Sequence, residues 1–365
     1  MPPAPHSLSG TGVNEHHASL EDVPADLGGR AWLGEDLIHR DDWIVTLSAT
    51  DIAELEAAAR LLAAKNDPQA LASLTPTDFP LPRLRPRLEA LRTELLEGRG
   101  FVLLRGLPIH ADVLTTAAIF MGIGAHLGRA RSQNAKGHLL GHVCDLGLSS
   151  ADPSVRIYQT SERQTFHTDS CDVVGLVMLR DARAGGDSLL VSALAIFAEM
   201  RRTRPDLLAR LMRPMPYDRR GEVPPGERPY FEIPVFSWHA DRLTVFYQRQ
   251  YFDSAQRFPD ARRLTADDIA ALDLFDRIAN EPRFVLPMRL QPGDIQFVHN
   301  HTLLHDRTAF EDDPDRRRHL LRLWLACPGA RPLPEWFRPR YGSLTIGDRG
   351  GIVVEGMQPS VPLVP

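Results

Sequence analysis

The chain has 365 residues, 43% of them apolar, enough for a substantial core in one large domain or two ordinary ones. Its net charge of −5 comes from 42 basic and 47 acidic residues spread along the sequence, with no long basic block of the kind a nucleic-acid partner requires. Cys144, Cys171 and Cys327 are too few and too scattered for a disulfide framework or a Cys-x-x-Cys zinc site, and no run of about 18 apolar residues suggests a membrane span.

The first residues lack a basic start followed by an apolar stretch, so a signal peptide is not expected and a cytoplasmic protein is the simplest reading. Rich in Pro, Ser, Gly and acidic residues without an apolar period, residues 1–28 read as a mobile tail ahead of a single domain over 29–365. Ile52, Leu55, Ala59 and Leu62 recur at helical spacing behind Ser48 or Thr50 as cap, and a Pro-rich connector follows over 68–83. A second helix is expected over 84–97, ending at Gly98. "GFVLLRGLP" reads as a buried strand closed by a turn, and a helix should run from Asp112 to about His126.

Beyond residue 150 the texture changes to short apolar runs separated by Gly, Pro and Asp: "RIYQT", "DVVGLVMLR", "SLLVS", "YFEIPVFSW", "RLTVFYQ", "RFVLPMRL", "DIQFVHN" and "HLLRLWLAC". Helical patterns intervene near 193–213 and 265–280. Many short strands with few helices between them predict an antiparallel sandwich or barrel rather than a parallel sheet. The Pro-rich "GEVPPGERPYF" is either a lid or a connector.

In "QTFHTDSCDVVGL", His167 and Asp169 are two apart, so on an extended chain they project from one face and can share an ion. The pattern alone means little, because His39/Asp41, His110/Asp112 and His239/Asp241 repeat it. Its company sets this pair apart. "AGGDSLLVS" (184–192) follows, and then "GDIQFVHNHTLLHDRTAFEDDPDRRRHLLRLWL" (293–325), where His299, His301 and His305 each offer a third imidazole. Two histidines and a carboxylate form the facial set of non-heme Fe(II) centres. Strand alternation also puts Arg318, Leu320, Arg322 and Trp324 on one face of an otherwise apolar segment. Buried guanidiniums need an anion, either a bound ligand or, for Arg318, one of Glu311, Asp312, Asp313 and Asp315.

In this order, "FHTD", "GGDS" and "NHTLLHDRTAFEDDPDRRRHLLRLWL" resemble the taurine dioxygenase-like (TauD/TfdA) branch of the Fe(II)/2-oxoglutarate-dependent dioxygenases, over about residues 99–328. The resemblance implies a mainly β fold with flanking helices around a double-stranded β-helix (jelly-roll, cupin-like) core. It makes His167, Asp169 and His305 the iron ligands and assigns Arg318 and Ser188 to the far carboxylate of 2-oxoglutarate; Ser188 stands where the family usually has threonine. Arg322 falls where relatives place an arginine on a small anionic substrate or near the cosubstrate, and Asn300 and His301 stand where relatives have an Asn-Arg pair. The implied cofactors are Fe(II), 2-oxoglutarate and O2, and the implied reaction is oxidation, by hydroxylation, of an unactivated C–H bond of a small organic substrate with release of succinate and CO2. With Asp169 present, an oxygenase is expected rather than a halogenase, in which a small residue replaces the carboxylate. A zinc hydrolase could use the same ligands but would not account for Arg318 and Ser188, and a non-catalytic jelly-roll binding protein is the other alternative. Gln133, Asn134, Tyr158, Arg249 and Tyr251 are candidate substrate contacts. No nucleic-acid or membrane partner is expected, and homo-oligomerisation is left open.

Overall fold

The computed structural model describes residues 19–64, 70–149 and 155–365. Local signals place the first helices where expected. Ser48 caps Ala49–Ala63 through a reciprocal pair, its hydroxyl accepting the Asp51 N–H and the Asp51 carboxylate accepting the Ser48 N–H. Arg85–Glu97 stops at Gly98, and Val113–Leu127 starts from Asp112, whose carboxylate accepts the Thr115 N–H at 2.6 Å. Asp112 is therefore a helix cap, which explains the His110/Asp112 pair without a metal.

Two sheets face each other. The larger has the order Ile44–Thr46, Phe101–Arg105, Ile295–His299, Val173–Arg180, His319–Ala326 and Arg129–Arg131, with Leu140–Val143 also paired to His319–Ala326. The smaller has the order Leu286–Met288, Ser188–Ser192, Leu303–Arg307 and Gln164–His167. From Gln164 to Gly185 and Ser192, and again from Leu286 onward, the chain steps between the sheets: 164–167 lies in the smaller, 173–180 in the larger, 188–192 in the smaller, 295–299 in the larger, 303–307 in the smaller and 319–326 in the larger. This is the expected double-stranded β-helix.

Strand alternation decides what lies inside. Phe101, Leu103, Val174, Met178, Val298, Leu320 and Trp324 meet Leu190, Leu286 and Leu303 between the sheets. Val102, Leu104, Val173, Val177, Leu321, Leu323 and Leu325 face the other way, against the helices 49–63, 85–97 and 113–127. Helices Ala193–Thr203, Pro205–Leu211 and Ala266–Ala279 cover the outer face of the smaller sheet.

Three expectations need correction. The tail read over 1–28 extends too far: residues 1–18 lie outside the described residues, but Val23 is buried against the helical layer and Arg201 holds the carbonyls of Leu20, Val23 and Pro24. That anchor comes from far along the chain, so no local period announces it. The sheet also begins before residue 99, because Ile44–Thr46 pairs in parallel with Phe101–Arg105. "RIYQT" forms no strand; Ile157–Gln159 is a 3-10 turn.

Candidate metal centre

His167 ends one strand of the smaller sheet, and His305 sits directly opposite it on the antiparallel neighbour. Cross-strand pairing brings their rings to 4.1 Å between centroids. Asp169 enters from the turn after His167, where its backbone N–H donates to Asn300 Oδ1 at 2.9 Å. Its carboxylate oxygens stand 3.9 Å from His167 Nε2 and 3.7 Å from His305 Nε2. One ligand atom from each of the three lies within 4.8 Å of the others, and all three side chains are buried.

Protonation suits metal binding. His167 Nδ1 faces the Thr165 carbonyl at 2.9 Å, so Nδ1 carries the proton and Nε2 keeps its lone pair. Burial pushes the imidazole of His167 below its ordinary pKa and that of His305 down to about 3. For Asp169, burial favours the neutral acid, but the carboxyl stays below its usual range, with the charge of Arg322 as the largest opposing effect. Trp324 Nε1–H donates to Asp169 Oδ2 at 2.8 Å and fixes the carboxylate. Two neutral imidazoles and one ionised carboxylate converging from one side fit a borderline divalent ion and leave its other side open. The remaining His-x-Asp pairs form no comparable group among the described residues; His239 ends a hairpin strand and Asp241 lies in its turn, at φ 57°.

Of the three downstream histidines, only His305 reaches the centre. His299 Nδ1 contacts Thr302 Oγ1 at 2.9 Å, and His301 Nε2 contacts Asp172 Oδ1 at 3.0 Å in a separate buried network with Arg349.

From His167 and His305 a cavity runs past Leu176, Leu290 and Leu320 to Ser188, Arg307 and Arg318. Arg318 is buried, and Nη2 donates to the Gly186 carbonyl at 2.9 Å while Nη1 has no partner among the described residues. The acidic stretch does not neutralise it: Asp312 accepts the Arg318 backbone N–H instead, at 2.7 Å. Burial pushes the Arg318 guanidinium down to about 9, with Arg307 adding repulsion. Arg307 is also buried, and burial takes it to about 10. Neither forms an ion pair with a described residue, so this end of the cavity holds two cations that lack an anion. The Gly-Gly turn is shaped by the same site. Gly186 has φ +75°, and a Cβ there would lie 2.6 Å from Arg318 Nε. Ser188 Oγ, beside it, donates to Gln296 Oε1 at 3.1 Å.

Arg322 stands between this cavity and a larger outer cleft. Its Nη1 is 3.8 Å from Asp169 Oδ2, and its guanidinium lies over the rings of Tyr158 (4.6 Å) and Trp324 (5.2 Å). Gln133 Oε1 accepts from Arg322 Nε at 2.7 Å, while its amide nitrogen donates to the carbonyls of Leu139 and Arg322. Gln133 thus holds Arg322 in place. Asn134 Oδ1 accepts the N–H groups of Lys136 and His138, a turn-forming role. Both residues line the cleft, as do Tyr158 and Tyr251; Arg249 instead pairs with Asp253, Asp273 and Asp276. Sequence reasoning missed Gln164, whose amide nitrogen is 2.8 Å from His167 Nε2, as well as Asn300 and Trp324 as supports of Asp169. Trp324 carried a signal in its place on the Arg318/Arg322 face, and Asn300 in standing with His301 where relatives have an Asn-Arg pair.

A His-Asp-His facial triad inside a double-stranded β-helix, with a cationic cavity end beyond it, defines a non-heme metal oxygenase. The chain belongs to the taurine catabolism dioxygenase TauD, TfdA family, whose model matches residues 68–324. It is an Fe(II)- and 2-oxoglutarate-dependent dioxygenase. The chain is similar to the FR-33289 synthase of Streptomyces rubellomurinus (strain ATCC 31215), 31% identical over 322 residues covering 84% of this chain and 92% of that protein. It also resembles the taurine hydroxylase-like protein SAT17 of Stachybotrys chartarum (strain CBS 109288 / IBT 7711), 32% identical over 82% of this chain and 81% of that protein. A uridine-5'-phosphate dioxygenase of an Amycolatopsis species is 33% identical over 47% of this chain and 65% of its own length. Asparagine oxygenase, solved with Fe(II), 2S,3S-3-hydroxyasparagine and succinate, shares the fold at a TM-score of 0.61 and 19% identity, covering 78% of this chain and 93% of its own. Among the described residues no helix is long and apolar enough to cross a membrane.

Proposed function

We propose that the chain hydroxylates an unactivated C–H bond of a small anionic molecule, with His167, Asp169 and His305 as Fe(II) ligands, Arg318 and Ser188 on the far carboxylate of 2-oxoglutarate, and Arg322 on the primary substrate or the cosubstrate's near end. The observation that carries this reading is the buried, unpaired Arg318 at the end of the cavity that starts at the triad. A zinc hydrolase does not account for such a cation in that place. The names of two relatives, a taurine hydroxylase-like protein and a uridine-5'-phosphate dioxygenase, also favour small anionic substrates.

When bound, Fe(II) with 2-oxoglutarate and O2 supplies the oxidative decarboxylation that releases succinate and CO2 and oxidises the substrate. The chain's own residues bind and orient. Thr165 keeps His167 in the tautomer that presents Nε2, and Trp324 fixes the Asp169 carboxylate. Leu176, Leu290 and Leu320 form dry walls that strengthen the charge pairing of an anion with Arg318. Arg322 is held by Gln133 and the two aromatic rings, so it meets an anion without further ordering.

Anaerobic addition of Fe(II) and then 2-oxoglutarate tests the assignment. A weak visible charge-transfer band is expected, and it should be absent from His167→Ala. A protein that binds Fe(II) but gives no band with 2-oxoglutarate refutes it.

A further inference from the structure

The outer cleft carries a second cationic cluster that the chemistry above does not use. Arg340, from the short helix Arg338–Tyr341, donates from Nε to Ser170 Oγ at 2.8 Å, next in sequence to the metal ligand Asp169, and from Nη1 to Glu222 at 3.2 Å. Arg156 donates to the other oxygen of Glu222 at 2.9 Å, to the Arg220 carbonyl and to the Tyr251 hydroxyl, both at 3.2 Å. The guanidinium of Arg220 lies 5.6 Å from the Tyr251 ring centroid. All of these residues line the cleft that reaches His167 and Asp169.

The charges do not balance. The side chains of Arg340, Arg156 and Glu222 keep only 8%, 21% and 14% of their exposure, so little water screens them. Glu222 is the one acidic side chain of the described lining other than Asp169, which serves the metal, and two guanidiniums, Arg156 and Arg340, share it. One carboxylate neutralises one guanidinium. A structural strut would need no more than the Arg156–Glu222 pair, whereas Arg340 offers five N–H groups to two protein oxygens beside the metal ligands.

We infer that Arg156 and Arg340 form an anion subsite of the substrate cleft, in which an anionic head group of the primary substrate displaces Glu222 from the guanidiniums. This rests on the dioxygenase reading of the cleft. The shared ligand chemistry is an oxyanion, whether carboxylate, sulfonate or phosphoryl group, distinct from the one that meets Arg318.

The test uses metal-free protein and inorganic phosphate as probe, followed by calorimetric titration at constant ionic strength. It is run both in the parent protein and in Arg318→Leu, which disables the anion site at the inner end of the cavity. Phosphate binding is expected, weakened about tenfold or more by Arg340→Gln and by Arg156→Gln, each of which loses a charge-assisted contact. Glu222→Gln should tighten it, because a competing carboxylate is gone. Sulfate and acetate in place of phosphate show whether the subsite prefers a tetrahedral or a planar head group. No binding by the parent protein, unchanged affinity in both arginine variants, or weaker binding in Glu222→Gln overturns the inference. The Fe(II)/2-oxoglutarate band is recorded on the same proteins: its absence from the parent sinks the dioxygenase reading, whereas its presence with unaltered phosphate binding sinks the subsite alone.

Discussion

Arg318→Leu separates a ligand-binding arginine from a structural one, because the two roles predict opposite changes in stability. In the ligand-free protein the guanidinium is buried, donates to one backbone carbonyl and forms no ion pair with a described residue, so its desolvation is poorly offset. Replacing such a cation with a well-packed apolar side chain is neutral or stabilising. The thermal midpoint of the metal-free variant should therefore hold or rise. Binding of 2-oxoglutarate should fall, because truncating one partner of a buried charge pair typically costs about 2–5 kcal/mol. At about 1.4 kcal/mol per tenfold, this is a loss of roughly 30-fold to several thousand-fold. Succinate release against 2-oxoglutarate concentration, and the concentration needed to develop the charge-transfer band, both measure it. An unchanged requirement for 2-oxoglutarate together with a lowered midpoint would show that Arg318 serves the fold.

His305→Ala should abolish Fe(II)-dependent turnover, whereas His301→Ala should keep Fe(II) binding but lose about 1–3 kcal/mol in urea unfolding, since Asp172 loses a buried partner. Gln133→Ala, which removes the acceptor of Arg322 Nε and the donor to two carbonyls, should also destabilise by about 1–3 kcal/mol; unchanged stability contradicts its role in holding Arg322, and loss of the Fe(II)/2-oxoglutarate band moves Arg322 from the substrate to the cosubstrate. The metal-free protein should lose stability in acid. Burial holds His299 well below 6.5 and His301 and His319 at about 4, so the unfolded chain takes up protons that the folded one refuses. The contribution of these neutral histidines is complete above about pH 6.5 and is lost progressively from there toward about pH 4, and a urea midpoint independent of pH across that window contradicts it.

What the sequence disclosed depended on the range of the interaction. Helix ends were readable because a cap and its partner lie three residues apart, as with Ser48 and Asp51. The inward face of 318–325 was readable because alternation is a local property of strands. The metal pair was less so: His167 and Asp169 repeat a pattern found three times elsewhere, and only the cross-strand partner His305, distant in sequence, completes the set. The Gln133–Arg322 support and the Arg156–Glu222–Arg340 cluster left no trace, because each joins segments that meet only after the sheets and the C-terminal segment have folded. "RIYQT" misled for the same reason. Its apolar residues suit a strand, but Tyr158 is spent on stacking with Arg322.

The strand His319–Ala326 explains why these parts must be kept together. It pairs on one edge with Val173–Arg180 and on the other with Arg129–Arg131 and Leu140–Val143, so its register is fixed from both sides. A slip of one residue would turn Arg322 toward the layer of Leu321, Leu323 and Leu325 and the helices beyond, an apolar setting with nothing to offset its charge. The site therefore inherits its precision from sheet pairing. Trp324 inherits it too: two residues beyond Arg322, it supports the guanidinium with its ring and holds Asp169 with its indole N–H. Arg318 and Arg322 are separated by four residues, about 13 Å of extended chain. With Arg318 on the far carboxylate, one 2-oxoglutarate carboxylate cannot also satisfy Arg322, which stands at the Asp169 edge of the metal site and opens to the outer cleft. Under the proposed assignment Arg322 meets an anion near the metal, and the Arg156–Arg340 cluster one farther along the substrate.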